Sequence, residues 1–480
     1  MYINIGLNNL DYRYDVYQMF NIFYTFEEIK FNENDKLTFD VNISEDYLKI
    51  SEDGKEYTYE INKEKNFKEE LKKGIFIYLT DKLKDFYPWG TLVGIRPSKI
   101  ALKLLNEGKS EEEVIKYFDD KYKASKEKAE LCMEVARREN QYVNRDEKNI
   151  AIYVGMPFCP TRCTYCSFAA NPIGAFKNAV EDYLDALDKE IEAIKKYVKE
   201  KSLTIETVYF GGGTPTAVNN EQFERVMNHI HSSFVKDNNI KEFTVECGRP
   251  DSITEEKLLS MKRYGVSRIS INPQTMNDEV LLSIGRGHLS QDVIDKFNLA
   301  RKLEFDNINM DIIIGLPNEG VDSVKKTVEE IKKLNPDSLT VHGMSIKRSS
   351  KLHENLVLKK TVKIAKQDEL NQMYEMSKTL AKDLNMNPYY MYRQKNMVGN
   401  MENVGFSREG KECLYNMQMI EDSQTIIALG ADAVSKVVYL NENKNRIERF
   451  ANVKDVKGYI DRIDEMIERK MALLDTLYSL

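Results

Sequence analysis

No stretch of this sequence reaches about 18 uninterrupted apolar residues, the length a membrane-spanning helix needs, so no span is expected. The first residues, Met1-Tyr-Ile-Asn-Ile-Gly, lack the basic start and long apolar run of a signal peptide. Positive charge is not in surplus. Lys and Arg number 70 against 77 Asp and Glu, a net −7, which leaves no global basic field to draw nucleic acid. Lysine-rich stretches such as 192–201 carry glutamates at helical spacing and read as solvated helix faces. Cysteine is sparse. The six are Cys132, Cys159, Cys163, Cys166, Cys247 and Cys413, three in one short loop and the rest scattered, which is no disulfide framework. A reducing cytoplasm is the natural setting. Low-complexity tracts and solenoid repeats are absent. What remains is 480 residues, 42% hydrophobic and 31% charged, enough for two or three globular domains with ample core.

Three regions follow from the patterning. Residues 1–148 read as an accessory α/β domain. Leu37, Phe39, Val41 and Ile43 alternate with polar residues as a half-buried strand does, and Asp53-Gly54 between two further runs predicts a hairpin. Ile75, Leu79 and Leu83 recur at helical spacing, Pro97 opens a helix, Ser110 and Glu113 form a capping box, and a charged helix spans 125–142. From residue 149 strands alternate with amphipathic helices. Strands are expected at 150–154, 207–210, 243–246, 268–272, 308–314 and 338–342, with helices around 180–198, 222–234, 255–264, 293–303 and 321–334. Six such units over 149–346 predict a parallel sheet curled into a partial (β/α)6 barrel, TIM-like but incomplete. In that architecture chemistry collects at the C-terminal ends of the strands. Residues 347–480 read as a mostly helical capping region with helices near 366–384 and 456–474.

The chemistry centres on Gly155-Met-Pro-Phe-Cys159-Pro-Thr-Arg-Cys163-Thr-Tyr-Cys166, directly after the first barrel strand. Thiolates suit zinc or iron–sulfur clusters. A structural zinc site takes four protein ligands, whereas three thiolates in one loop fit a cubane with one iron left open for a small molecule. The alternatives are a zinc site completed by Cys247 or Cys413, and three buried thiols. Gly211-Gly212-Gly213-Thr214-Pro215 follows the second strand, where glycine lets backbone approach a ligand without a Cβ in the way; an ordinary tight turn is the plainer reading. Glu246 ends the third strand and can accept two ribose hydroxyls, or serve as a cap or ion-pair partner. Gln274 follows the fourth strand and Arg286 stands in Gly285-Arg-Gly-His288. Asp311, inside the apolar run 310–317, needs a partner if buried, either a ligand or Arg286 or Arg268. Arg249, Arg393 and Lys395 are candidates for carboxylate groups of a substrate, or simply solvated surface charges.

These motifs resemble the radical S-adenosylmethionine (SAM) enzymes, and within them the oxygen-independent coproporphyrinogen III oxidase family, most closely its HemZ-type branch. Tyr153–Cys159, Phe210–Thr216, Thr244-Val-Glu246, Pro273-Gln274, Asn309-Met-Asp311 and Ile427-Ala-Leu-Gly430 fall in family order. The resemblance implies a 4Fe–4S cluster on Cys159, Cys163 and Cys166, SAM contacts from Tyr153, Gly212 and Glu246, and a second SAM lined by Tyr165, Gly213, Thr214, Gln274, Arg286 and Asp311. It further implies a propionate-bearing tetrapyrrole substrate, a 5′-deoxyadenosyl radical that starts oxidative decarboxylation, and an electron donor such as flavodoxin or ferredoxin. A haem or tetrapyrrole carrier on the same fold, or a radical SAM enzyme for another tetrapyrrole, is the alternative. Two departures stand out. Family oxidases carry a further cysteine two places after the third ligand, where this chain has Phe168, which implies at most weak conversion of coproporphyrinogen III. Related haem chaperones carry a His-Asn-x-x-Tyr-Trp motif, and the corresponding Tyr415-Asn-Met-Gln-Met-Ile420 has neither histidine nor tryptophan. The segment Trp89-Gly-Thr-Leu-Val-Gly-Ile-Arg-Pro97 resembles an extension particular to the HemZ-type branch.

Overall fold

The computed structural model describes residues 2–24, 28–166, 170–347, 350–352, 354, 363–394, 397–441 and 446–479. Near the N-terminus β1 (Tyr2–Leu7), β2 (Glu28–Phe31), β3 (Phe39–Ile43), β4 (Tyr47–Glu52) and β5 (Lys55–Glu60) form a sheet in the order β2-β1-β3-β4-β5. Alternation in β3 buries Phe39, Val41 and Ile43 and exposes Asp40 and Asn42. Asp53 and Gly54 turn the β4–β5 hairpin with φ of 43° and 80°, the positive values whose twist matches the strands. Helices Arg13–Phe23 and Phe67–Leu83 share this sheet's core through Val16, Met19, Phe20, Leu71, Ile75 and Leu79. Neither β1 nor β2 was expected from the sequence.

Among the described residues the buried apolar side chains form a cluster running from Ile3 to Tyr87, a larger one beginning at Trp89, and a small third one on the inner face of the main sheet that includes Tyr209, Tyr390 and Tyr415. Helices Ser98–Asn106, Glu111–Tyr122 and Lys126–Tyr142 therefore pack into the larger core, although the sequence pattern changes only near residue 148. The capping box at Ser110 and Glu113 is present.

Among the described residues the main sheet has eleven strands. It starts with β6 (Asn149–Met156), after which β7 (Phe158–Cys159) and β8 (Asn171–Pro172) form a two-residue parallel pair around the cysteine loop. Then come β9 (Thr204–Gly212), β10 (Glu242–Gly248), β11 (Arg268–Ile271), β12 (Ile308–Ile314) and β13 (Ser338–Gly343). The six strands β6-β9-β10-β11-β12-β13 are parallel neighbours in chain order, each followed by helix. This is the expected (β/α)6 arrangement, and the helix Val321–Leu334 has the predicted limits.

The region after 347 contributes more than a cap. Besides its helices it supplies β14 (Asn387–Tyr392) and β15 (Asn403–Ser407), antiparallel beyond β13. It also supplies β16 (Thr425–Leu429), parallel beside β6, and then antiparallel β17 (Val434–Val438) and β18 (Ile447–Ala451). Sequence reading missed these five strands because each is short and β15 and β16 are buried on both faces, leaving no alternation to read. Helix Ile463–Tyr478 is anchored to this edge by a fully buried ion pair, Lys470 with Glu190 of helix Val180–Glu200. Glu190 also accepts from Gly430 N at 2.8 Å, Tyr459 OH at 2.6 Å and Asn452 Nδ2 at 2.9 Å. The turn at Gly430 in turn abuts Gly155, the first residue of the cysteine motif.

Candidate active site

Period-two alternation splits the parallel strands into two faces. Ile152, Val154, Val208, Phe210, Val245, Ile269, Met310, Ile312 and Val341 belong to the apolar core shared with the helices. The alternate residues line a cavity of about 790 Å³ on the inside of the curl, among them Tyr153, Tyr209, Glu246, Ser270, Asp311 and His342. All twelve residues assigned from the sequence to the cluster and SAM line this one cavity: Cys159, Cys163, Cys166, Tyr153, Tyr165, Gly212, Gly213, Thr214, Glu246, Gln274, Arg286 and Asp311.

The cysteine loop is tied down on several sides. Thr214 Oγ1 donates to Cys159 Sγ at 3.4 Å, and Arg249 Nη1 reaches Thr161 Oγ1 at 3.0 Å and Cys163 Sγ at 3.7 Å. Thr161 Oγ1 donates to Gly285 O at 2.8 Å, and Thr164 N to Ile284 O at 2.9 Å. Burial pushes the Cys159 thiol up to about 11, so in the free protein it is neutral at pH 7, and only a metal partner makes the thiolate favourable. Glycine is required beside it. A Cβ on Gly213 would stand 2.7 Å from Phe158 O and 2.9 Å from Cys159 Sγ, and one on Gly212, at φ 105°, 2.8 Å from Met156 O. Cys132, by contrast, is buried in helix Lys126–Tyr142, away from the cavity wall.

The cavity wall also holds a cluster of three stacked tyrosines, Tyr209 and Tyr415 with ring centroids 4.3 Å apart and Tyr153 at 6.1 Å and 6.2 Å from them. Tyr209 OH donates to Glu246 Oε1. Burial, with Asp311 adding, lifts the Glu246 carboxyl to about 7 despite Tyr209, Arg268 and His342, which favour its charge. Asp311 behaves differently. Burial raises it too, but His342 Nε2 at 3.7 Å from Oδ2 and Asn309 Nδ2 donating to Oδ1 at 2.6 Å outweigh that and hold it below the usual carboxylate value. The ion pair with Arg286 or Arg268 weighed from the sequence is not formed. Arg286 instead donates to Tyr165 OH at 3.3 Å and Gly248 O at 3.4 Å. Gln274, at φ 66°, is fixed by its backbone bonds to Asp311 O and from Ile313 N, both 2.9 Å.

Of the carboxylate-binding candidates, Arg249 lines the cavity, paired with Asp251 at 2.7 Å. Arg393 does not. It is buried with its guanidinium 4.7 Å over the Trp89 ring and its donors on Leu92 O, Asn400 O and Met401 O. It is a structural strut, its buried charge met by those carbonyls. Lys395 and Phe168 lie outside the described residues. Sequence reasoning missed Tyr209, Asn309 and His342; their inward positions follow from alternation with Phe210, Met310 and Val341.

The residues fit an iron–sulfur cluster and SAM. Three thiols stand around one cavity, where each can take its own iron, and among the described residues no three His, Cys, Asp or Glu converge on a single ion. Gln274 Oε1 and Arg286 Nε are buried in the same wall without a hydrogen-bond partner among the described residues, as polar groups awaiting a ligand would be.

Comparison with known proteins agrees. The radical SAM superfamily matches residues 153–331. Over 396 residues the chain is 41% identical to the oxygen-independent coproporphyrinogen-III oxidase-like protein HemZ of Bacillus subtilis, covering 82% of this chain and 78% of that protein. This chain belongs to the HemZ-type branch of the radical SAM superfamily. The heme chaperone HemW of Bacillus subtilis is 30% identical over 315 residues, 65% of this chain and 76% of HemW. The solved structure of the coproporphyrinogen III oxidase HemN from Escherichia coli superimposes with a TM-score of 0.52 at 22% identity, covering 71% of this chain and 73% of HemN, and has the same fold. As a radical SAM protein of this branch, the chain uses a 4Fe–4S cluster and SAM. No helix among the described residues is long and apolar enough to cross a membrane.

Proposed function

We propose that this HemZ-type protein acts on a propionate-bearing tetrapyrrole by radical chemistry. Cys159, Cys163 and Cys166 hold the cluster, Tyr153, Gly212 and Glu246 hold SAM, and Tyr165, Gly213, Thr214, Gln274, Arg286 and Asp311 line a second SAM. The observation that carries this reading is that all twelve residues share one cavity wall. Bound there and reduced by one electron, the cluster with SAM supplies a radical able to take hydrogen from a carbon of a propionate side chain. The chain's residues do the positioning. Glu246, braced by Tyr209, offers carboxylate oxygens to a pair of ribose hydroxyls. Asp311, kept ionised by His342 and Asn309, offers a second anionic acceptor. The bare backbone at Gly212 and Gly213 lets a ligand lie against the strand ends, and the tyrosine cluster gives it an aromatic surface in the same cavity. The outcome is loss of carbon dioxide and formation of a vinyl group, the remaining electron passing to a one-electron acceptor. The names of HemZ and HemN support coproporphyrinogen-type chemistry.

The test is anaerobic reconstitution with SAM, a strong reductant and coproporphyrinogen III, followed by measurement of 5′-deoxyadenosine and product mass. SAM cleavage is expected, with weak decarboxylation by the wild type that rises in Phe168→Cys. A second reading, a tetrapyrrole carrier, is supported by the 30% identity to a heme chaperone. Tight haem binding with no 5′-deoxyadenosine under any reductant would establish the carrier and refute the enzyme.

A further inference from the structure

The cavity also reaches solvent between helix Leu414–Glu421 and the β17–β18 ladder. Its wall there includes Met419 and Val434, 37% and 45% exposed, and Arg449, whose side chain is 53% exposed. Three cations meet one carboxylate at this mouth. Asp422 lies 2.5 Å from Arg96, 2.9 Å from Lys436 and 3.6 Å from Arg449. Asp432, the other acid on this stretch of wall, has its own cation, Lys454, at 3.4 Å. Lys436 and Arg449 are direct cross-strand partners, and like charges opposite one another destabilise a ladder. One carboxylate shared among three cations leaves two positive charges in excess.

Arg96 comes from the Trp89–Pro97 segment, and that segment is firmly held. Trp89 Nε1 donates to Glu402 at 2.6 Å, Ile95 O accepts from Arg393 N at 2.8 Å, and Arg96 Nη1 donates to Ile420 O at 3.0 Å. The buried strut Arg393 thus fixes the strap that holds Arg96 on Asp422 behind the cavity wall, with Val93 and Ile95 exposed beside it.

From this excess charge next to apolar side chains, we infer that the mouth receives the carboxylate-bearing edge of an amphipathic macrocycle. Two ligand carboxylates meet Lys436 and Arg449, which line the cavity, while Arg96 behind them occupies Asp422, and the apolar face lies on Met419 and Val434. The inference rests on the tetrapyrrole reading above and deepens it, naming what holds the propionates that are not being oxidised and giving the N-terminal strap a role in recognition.

Binding of coproporphyrin III and of etioporphyrin, a porphyrin without carboxylates, to the reconstituted full chain tests this by fluorescence quenching. The wild type is expected to prefer coproporphyrin III, with a preference that shrinks as salt rises. Arg449→Glu should weaken coproporphyrin III binding roughly ten-fold, because it reverses a partly exposed charge in the wall, and Arg96→Ala about three- to ten-fold, because Asp422, freed of Arg96, then neutralises more of the charge on Lys436 and Arg449. Etioporphyrin binding should not change, nor should either affinity in Arg462→Ala, whose guanidinium pairs with Glu465 on the surface. Iron content reports that each variant is folded. Unchanged coproporphyrin III affinity in a folded Arg449→Glu, or equal wild-type affinity for both porphyrins, would overturn the placement while leaving the tetrapyrrole reading intact. A wild type that binds neither porphyrin would sink that reading, and this inference with it.

Discussion

Gly213→Ala isolates the demand that the cluster loop makes on backbone space. The added Cβ would stand 2.7 Å from Phe158 O, 2.9 Å from Cys159 Sγ and 3.0 Å from Met156 O. Relief therefore requires shifts of about half an ångström against three atoms at once, the scale of overpacking that costs about 1–3 kcal/mol. Two of those atoms are carbonyls already bonded to this segment, Met156 O by Gly213 N at 2.6 Å and Phe158 O by Thr214 N at 2.8 Å. Moving away strains both bonds, each worth about 0.5–1.5 kcal/mol. Together these amount to about 2–6 kcal/mol, concentrated where Cys159 must present its sulfur. The expected result is a folded chain that reconstitutes with much less iron and sulfide, approaching Cys159→Ala, while Gly174→Ala, whose Cβ meets nothing within 4 Å, and Cys132→Ala keep wild-type iron. Iron and sulfide per chain after anaerobic reconstitution, with the cluster's visible absorbance, measure it. Wild-type iron and SAM affinity in Gly213→Ala would refute the argument that bare backbone shapes this site.

Glu246 gives a pH signature. Its carboxyl is lifted to about 7, above its unfolded value near 4.3, so the folded, ligand-free chain binds the extra proton and stability falls as pH rises through that window. SAM affinity should rise through the same window as the carboxylate forms opposite Asp311, Arg268, His342 and Tyr209, and Glu246→Gln should bind SAM about ten- to a hundred-fold more weakly with a flattened profile. Calorimetric titration across pH checks this, and an unchanged profile in the variant would make Glu246 merely structural. Lys470→Met leaves Glu190 charged and unpaired in full burial, and should lose about 3–5 kcal/mol in urea unfolding. Adding Glu190→Gln removes that stranded charge and should recover part of the loss; a double variant no more stable than the single would refute it.

The cysteine spacing, the glycine run and the strand-end acids were legible because each depends on local order: three thiols within eight residues, backbone without Cβ, and period-two alternation that turns Tyr153, Glu246 and Asp311 to one face. For the same reason the six parallel strands and their helices could be read with nearly correct limits. Partnership was not legible, because it is set by residues far apart in the chain. Only the assembled sheet puts Tyr209 on Glu246 and His342 on Asp311, sends Arg393 to carbonyls under Trp89 instead of to a ligand, and joins helices 98–142 to the barrel core. It also recruits five C-terminal strands too short or too evenly buried to announce themselves, and so brings Lys436 and Arg449 to the same carboxylate as Arg96, more than 300 residues earlier in the chain. Local sequence fixes which way a side chain points from its element; what it meets there depends on strand order and packing, which no single stretch encodes.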